Sequence, residues 1–188
     1  MKKILAIIVS LTVISSLVLP AYAKSGHWKE NKIGWWYQYD DGTWVQSSFL
    51  KLGNHISYFN EKGYAVKGWQ FIKNNWYYFD DNCYMLKGKQ SIKSLSFLFD
   101  KDGKLVNQST SYQGAVGTTA ESYKAFNDPL LAVLDNVYFS TDKYHVCQVD
   151  KNGLLMPIGK GYATITVRGT LNGYFFNKKY GVSITSSS

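Results

Sequence analysis

The chain has 188 residues, a formal net charge of +8 and an aromatic content of 16%. Two cysteines are too few for a disulfide scaffold, and no lysine- or arginine-rich run suits nucleic acid. No metal-ligand spacing and no cofactor motif occur, so neither a metal nor a cofactor is expected.

Lys2 and Lys3 precede an apolar run from Ile4 to Leu19, followed by Pro20-Ala21-Tyr22-Ala23. A charged start, a short apolar stretch and an A-x-A site predict a secretory signal peptide over residues 1–23, with Lys24 as the first mature residue. An uncleaved anchor is the alternative, but the run falls short of the roughly 20 apolar residues a spanning helix needs. No cysteine follows the cleavage site directly, so no lipid anchor is expected. An exported basic protein is drawn to anionic polymers such as teichoic acids, or simply carries a solvated surface. Export would permit a disulfide, but Cys83 and Cys147 fall in what read as separate modules, which favours two free thiols.

A twenty-residue repeat follows. Trp36-Tyr37-Gln38-Tyr39-Asp40-Asp41 lies forty residues before Trp76-Tyr77-Tyr78-Phe79-Asp80-Asp81. Ile56-Ser57-Tyr58-Phe59-Asn60-Glu61 lies between them, and Ser96-Phe97-Leu98-Phe99-Asp100-Lys101 lies beyond. Each unit alternates like strands and ends in an Asp/Asn/Gly turn, which predicts one β-hairpin per repeat. Units of this length cannot bury an apolar face alone, so about four of them, over roughly residues 28–107, are expected to stack as a solenoid. Gly63 and Gly103 share a turn column with Cys83, which predicts strain in the third turn or Asn82 in the left-handed position.

The columns separate core from candidate site. Tyr39, Phe59, Phe79 and Phe99 are aromatic in every unit and read as the continuous core. The column Trp36, Ile56, Trp76, Ser96 and the column Phe49, Trp69, Lys89 change character from unit to unit. Burying Ser96 or Lys89 would cost a few kcal/mol, about what unpaired polar groups cost, so both columns are expected to face a groove. Alternation puts Trp76 and Tyr78 on one face, Tyr77 and Phe79 on the other.

The stretch "GWQFIKNNWYYFDDNCYMLKG", residues 68–88, resembles the choline-binding or cell-wall-binding repeat, and is similar to the carbohydrate-binding repeats of large clostridial toxins. The resemblance covers about eighty residues and is strongest over 68–88. It implies a left-handed β-solenoid with choline held between adjacent repeats. The cage would comprise the GW tryptophan (Trp69), the first aromatic of WYY (Trp76) and an aromatic of the next repeat. Ring faces are electronegative, which suits a quaternary ammonium that has no N–H to satisfy. Trp69, Trp76 and Tyr78 are thus the first candidate ligand residues, and Trp35, Trp36 and Tyr37 form a partial second set. The toxin-type repeats imply a glycan ligand instead, and a structural spacer is a further possibility.

Residues 108–128 are rich in Ser, Thr, Gly and Gln and read as a linker, and a protease is expected to cut first within residues 107–120. Thr118 and Glu121 fit a capping box for a short helix before Pro129, or chance spacing. Strand signals return from Asn136. Ala163, Ile165 and Val167 alternate towards a buried face, and Val149–Leu154 reads as a turn with its flanks. "VCQVDKNGLLMPIGKGYATITV" resembles the bacterial immunoglobulin-like domain of surface adhesins, which implies a β-sandwich over 129–188 with Cys147 as a core thiol. "YFFNKKYGVSI" is expected to close it with a hairpin.

His27, His55 and His145 lie in different units, and the turn carboxylates are accounted for by the turns themselves. No catalytic residue is therefore expected. The fold class expected is all-β: a hairpin solenoid over 24–107 and an immunoglobulin-like sandwich. The function expected is non-catalytic binding of choline-decorated teichoic acid or another wall polymer at a Gram-positive surface. The alternative is an adhesin or secreted binder of host glycans.

Overall fold

In the computed structural model, residues 24–106 and 111–186 are described, so the expected signal peptide lies outside the described residues. Four antiparallel hairpins follow one another: β1 (Gly26–Glu30) with β2 (Trp35–Tyr39), β3 (Ser48–Leu52) with β4 (His55–Phe59), β5 (Gly68–Ile72) with β6 (Asn75–Phe79), and β7 (Gly88–Ile92) with β8 (Leu95–Phe99). The turn chemistry after each of the last three is the same. Asn60 Oδ1 accepts from the N–H groups of Lys62 and Tyr64, Asp80 from Asn82 and Tyr84, and Asp100 from Asp102 and Lys104, all at 2.8–3.0 Å. These bonds satisfy the turn backbone locally and reverse the chain onto its own hairpin.

The reversed segment then reaches the preceding unit. The N–H groups of Ala65, Met85 and Leu105 donate to the carbonyls of Trp35, Ile56 and Trp76. The donors step by twenty, but the acceptors step first by twenty-one and then by twenty. The first unit is therefore slipped by one residue, and Trp35, not Trp36, is in register with Trp76. That corrects the column read from sequence.

Phe59, Phe79 and Phe99 are buried as expected, while Tyr39, at the outer end, is half-buried. A second row of rings ties the units together. Trp28 stacks on Phe59 at 5.6 Å, Phe49 on Phe79 at 6.5 Å, and Trp69 leans on Phe99 at 5.9 Å. Each first-strand aromatic thus packs on the core ring of the following unit.

Cys83 takes the left-handed backbone position itself, with φ of 64°, and Asn82 does not. A Cβ at the equivalent Gly103 would lie 2.5 Å from Met85 Cε, and one at Gly63 would lie 2.5 Å from Trp44 Cδ1. One unit before Met85 stands the shorter Ala65, and Cys83 is buried in its turn.

The C-terminal half begins earlier than the sequence suggests. Residues read as linker carry β9 (Ser111–Ala115), β10 (Ala120–Glu121) and a short helix α1 (Ser122–Ala125). The helix is not boxed by Thr118: the cap residue is Glu121 with no side-chain cap bond, and Thr118 Oγ1 donates to the Ala115 carbonyl at 2.7 Å. After a 3-10 turn at Pro129–Ala132 come β11 (Asp135–Thr141), β12 (Cys147–Val149), β13 (Leu154–Pro157), β14 (Gly161–Leu171) and β15 (Tyr174–Thr185). They make a four-stranded sheet, β11-β14-β15-β9, and a three-stranded sheet, β10-β13-β12. β9 runs parallel to β15. The segment expected to close with its own hairpin is instead one twelve-residue strand, and the hairpin turns at Asn172-Gly173.

Ala163, Ile165 and Val167 are buried, as their alternation predicts, and Cys147 is buried with its thiol pKa raised by burial. Both cysteines are free. Phe126 stacks on Tyr180 at 4.2 Å beneath a buried Asp128, which accepts from Tyr180 Oη (2.9 Å) and Lys178 Nζ (2.6 Å). This core is continuous with the last hairpins. Trp69, Ile92, Phe97 and Phe99 belong to the same cluster as Leu130, Leu171 and Tyr180.

Candidate functional site

Cross-strand geometry places Trp28 opposite Tyr37 and diagonal to Trp35 on one face of the first hairpin. Trp28 meets Trp35 at 6.4 Å and 79°, and Tyr37 at 5.8 Å and 81°. The third hairpin repeats this arrangement. Trp69 meets Trp76 at 6.3 Å and 88°, and Tyr78 at 5.1 Å and 79°. Among the described residues, the first and third hairpins therefore hold copies of one aromatic corner.

The first copy is open. Trp28 and Trp35 line a cleft of about 260 Å³ with Asp81, Asn82, Cys83 and Tyr84. Trp35 is 38% exposed. Tyr84 arrives on the turn after β6, with its N–H bound to Asp80 Oδ1 and its ring stacked on His55 at 4.0 Å. Burial raises the Cys83 thiol pKa and keeps it protonated, so Asp81 is the one charged group among the lining residues. Three rings with a carboxylate at the rim suit a cation that carries no donors.

The second copy is closed. Trp69 is 7% exposed, which corrects the expectation that it faces a groove. The cause is the β14–β15 hairpin: Asn172 Nδ2 donates to the Trp69 carbonyl at 2.7 Å, and Tyr174 Oη donates to Gln70 Oε1 at 3.0 Å. Tyr174 also stands edge-on to Trp76 at 5.8 Å. What space remains beside Trp76 is lined in part by Lys178, and that beside Trp69 by Lys93 and Asp135.

The remaining candidates separate. Tyr78 is half-buried behind Trp69. Tyr37 is buried, its phenol donating to the Gly26 carbonyl at 2.8 Å, and so forms the floor of the first corner. Trp36 points to the opposite face and lines a different cleft with Trp44 and Tyr64. Trp28 and Tyr84 were not singled out from sequence. The signal for Trp28 was present, because Trp28 and Trp35 are seven residues apart, as are Trp69 and Trp76.

The profile of the choline-binding repeat matches residues 45–82 and 66–109. The matched residues fall in the middle of the chain, and Trp28 and Trp35 lie just before them. No curated protein matches the chain. Among solved structures, the choline-complexed multimodular pneumococcal cell wall endolysin from phage Cp-1 is similar at 18% identity and a TM-score of 0.43, over 84% of this chain and 32% of that one. Choline binding protein F from Streptococcus pneumoniae, in the presence of a peptidoglycan analogue, is similar at 16% identity and a TM-score of 0.42, over 81% and 41%. CbpJ from Streptococcus pneumoniae TIGR4 is similar at 16% identity and 0.41, over 83% and 48%. The chain therefore spans less than half the length of these proteins.

Proposed function

We propose that this is an exported, non-catalytic surface protein that holds choline-bearing wall polymer in the cleft of Trp28, Trp35 and Tyr84. The observation that carries the proposal is the three-ring cleft with Asp81 at its rim, next to residues that match the choline-binding repeat. In this reading the hairpins form a short solenoid. The C-terminal sheets are an immunoglobulin-like spacer, supported by two sheets sharing a core and by the alternation of β14. Among the described residues no helix is long and apolar enough to cross a membrane.

Each ring contributes about 0.5–2 kcal/mol to a caged ammonium, so one site gives a dissociation constant on the order of millimolar. One site of that strength retains a protein weakly, and stable attachment needs several copies acting together on the polymer. The test is calorimetric titration with choline, together with release from choline-decorated wall by millimolar choline. Saturable binding that weakens about tenfold in Trp35→Ala supports the proposal. Wall binding that choline does not release would replace it with a glycan ligand.

A further inference from the structure

On the face of β2 opposite the cage, a second cleft of about 290 Å³ is lined by Asn31, Trp36, Gln38, Trp44, Lys62 and Tyr64. Alternation along β2 separates the two faces, so Trp35 and Trp36 serve different clefts. Trp44 is bridged to Gln38 across the turn and is 50% exposed, so a face of its ring is available to a ligand. Trp36 meets Tyr64 edge-on at 6.2 Å. Asn31 Nδ2 donates to Tyr64 Oη at 3.0 Å while its own Oδ1 is held by the N–H groups of Ile33 and Gly34. The Tyr64 oxygen thus accepts from a fixed partner, and its hydrogen remains to be donated. Gln38 Nε2 gives one hydrogen to the Gly42 carbonyl, leaving a second N–H and its oxygen.

The chemistry of this cleft differs from that of the cage. No carboxylate is among the residues that line it, and Lys62 has no ion-pair partner among the described residues. A quaternary ammonium would meet an uncompensated positive charge there. A purely apolar ligand would strand an amide, a hydroxyl and an ammonium. A sugar ring fits both halves of the lining: its C–H face stacks on indole, and its hydroxyls exchange hydrogen bonds with Gln38 and Tyr64.

We propose that this cleft is a saccharide-binding site, with Trp44 and Trp36 as the stacking platform and Lys62 favouring sugars that carry a carboxylate. It is independent of the choline cage, and either can fail without the other. The test is calorimetric titration of the protein with an N-acetylglucosamine tetrasaccharide and with a hyaluronan tetrasaccharide, with and without saturating choline. Both sugars are expected to bind, the acidic one more tightly, and choline to leave both unchanged. Trp44→Ala should weaken both by about tenfold, the loss of roughly one stacking contact. Lys62→Gln should erase the preference for the acidic sugar, and Trp35→Ala should bind sugar as the parent does. Absence of binding by both tetrasaccharides, displacement by choline, or unaltered binding in Trp44→Ala would each overturn the proposal.

Discussion

The corner at Trp28 and Trp35 and the corner at Trp69 and Trp76 have nearly the same ring geometry and opposite fates. Their tryptophan pairs sit at 6.4 and 6.3 Å and both are close to perpendicular. The first keeps a free face, a third ring from Tyr84 and a carboxylate from Asp81. The second is covered by Asn172 and Tyr174, with Lys178 beside Trp76. An aromatic corner is therefore a component with two uses, and what approaches it decides between ligand site and module interface. The third hairpin uses the component as glue.

The contrast can be broken at several points. The largest effect is expected for Trp69→Ala, which should lose about 3–5 kcal/mol in urea or thermal unfolding, as truncation of a buried aromatic does. Unfolding unchanged from the parent would mean that the C-terminal module does not rest on this ring. Trp35→Ala should leave the melting temperature nearly unchanged and weaken choline binding about tenfold, the loss of one ring from the cage. Equal choline affinity in the variant would move the site elsewhere. Tyr174→Phe removes one hydrogen bond to a buried Gln70 and should cost about 1 kcal/mol without altering choline affinity. A choline effect there would show the second corner to be in use. The smallest change is expected for Asp81→Asn: choline binding should fall about two- to threefold at low salt and hardly at all at high salt, because the carboxylate sits at an open rim. A salt-independent loss would mean that Asp81 contacts the ligand directly.

How far the sequence could be read follows the range of the interactions. The hairpins were legible because turn chemistry and alternation act over a few residues: Asn60, Asp80, Asp100 and Asp150 each bond the N–H groups two and four positions on. Phe59, Phe79 and Phe99 could be assigned to the core because every unit needs them. The burial of Trp69 could not be read, since its cover comes from Asn172, more than a hundred residues later. The one-residue slip of the first unit misdirected the choice between Trp35 and Trp36, because a column aligned on side-chain type says nothing about which carbonyl accepts. The Ser/Thr/Gly-rich segment from Ser111 looked like linker because β9 draws its order from parallel pairing with β15, a partner at the far end of the chain.

The third turn ties the packing of one unit to that of the unit before it. Cys83 occupies a left-handed position that costs a side-chain residue roughly 1–2 kcal/mol. At the matching Gly103 a Cβ would strike Met85. Ala65 stands in Met85's place one unit earlier, so a cysteine at 83 and a small residue at 65 form a coupled pair. Ala65→Met alone should clash, Cys83→Gly alone should leave a void, and the two together should restore the pattern of the fourth turn. A turn that looks local in sequence is fitted, across the seam between units, to a side chain of the unit before.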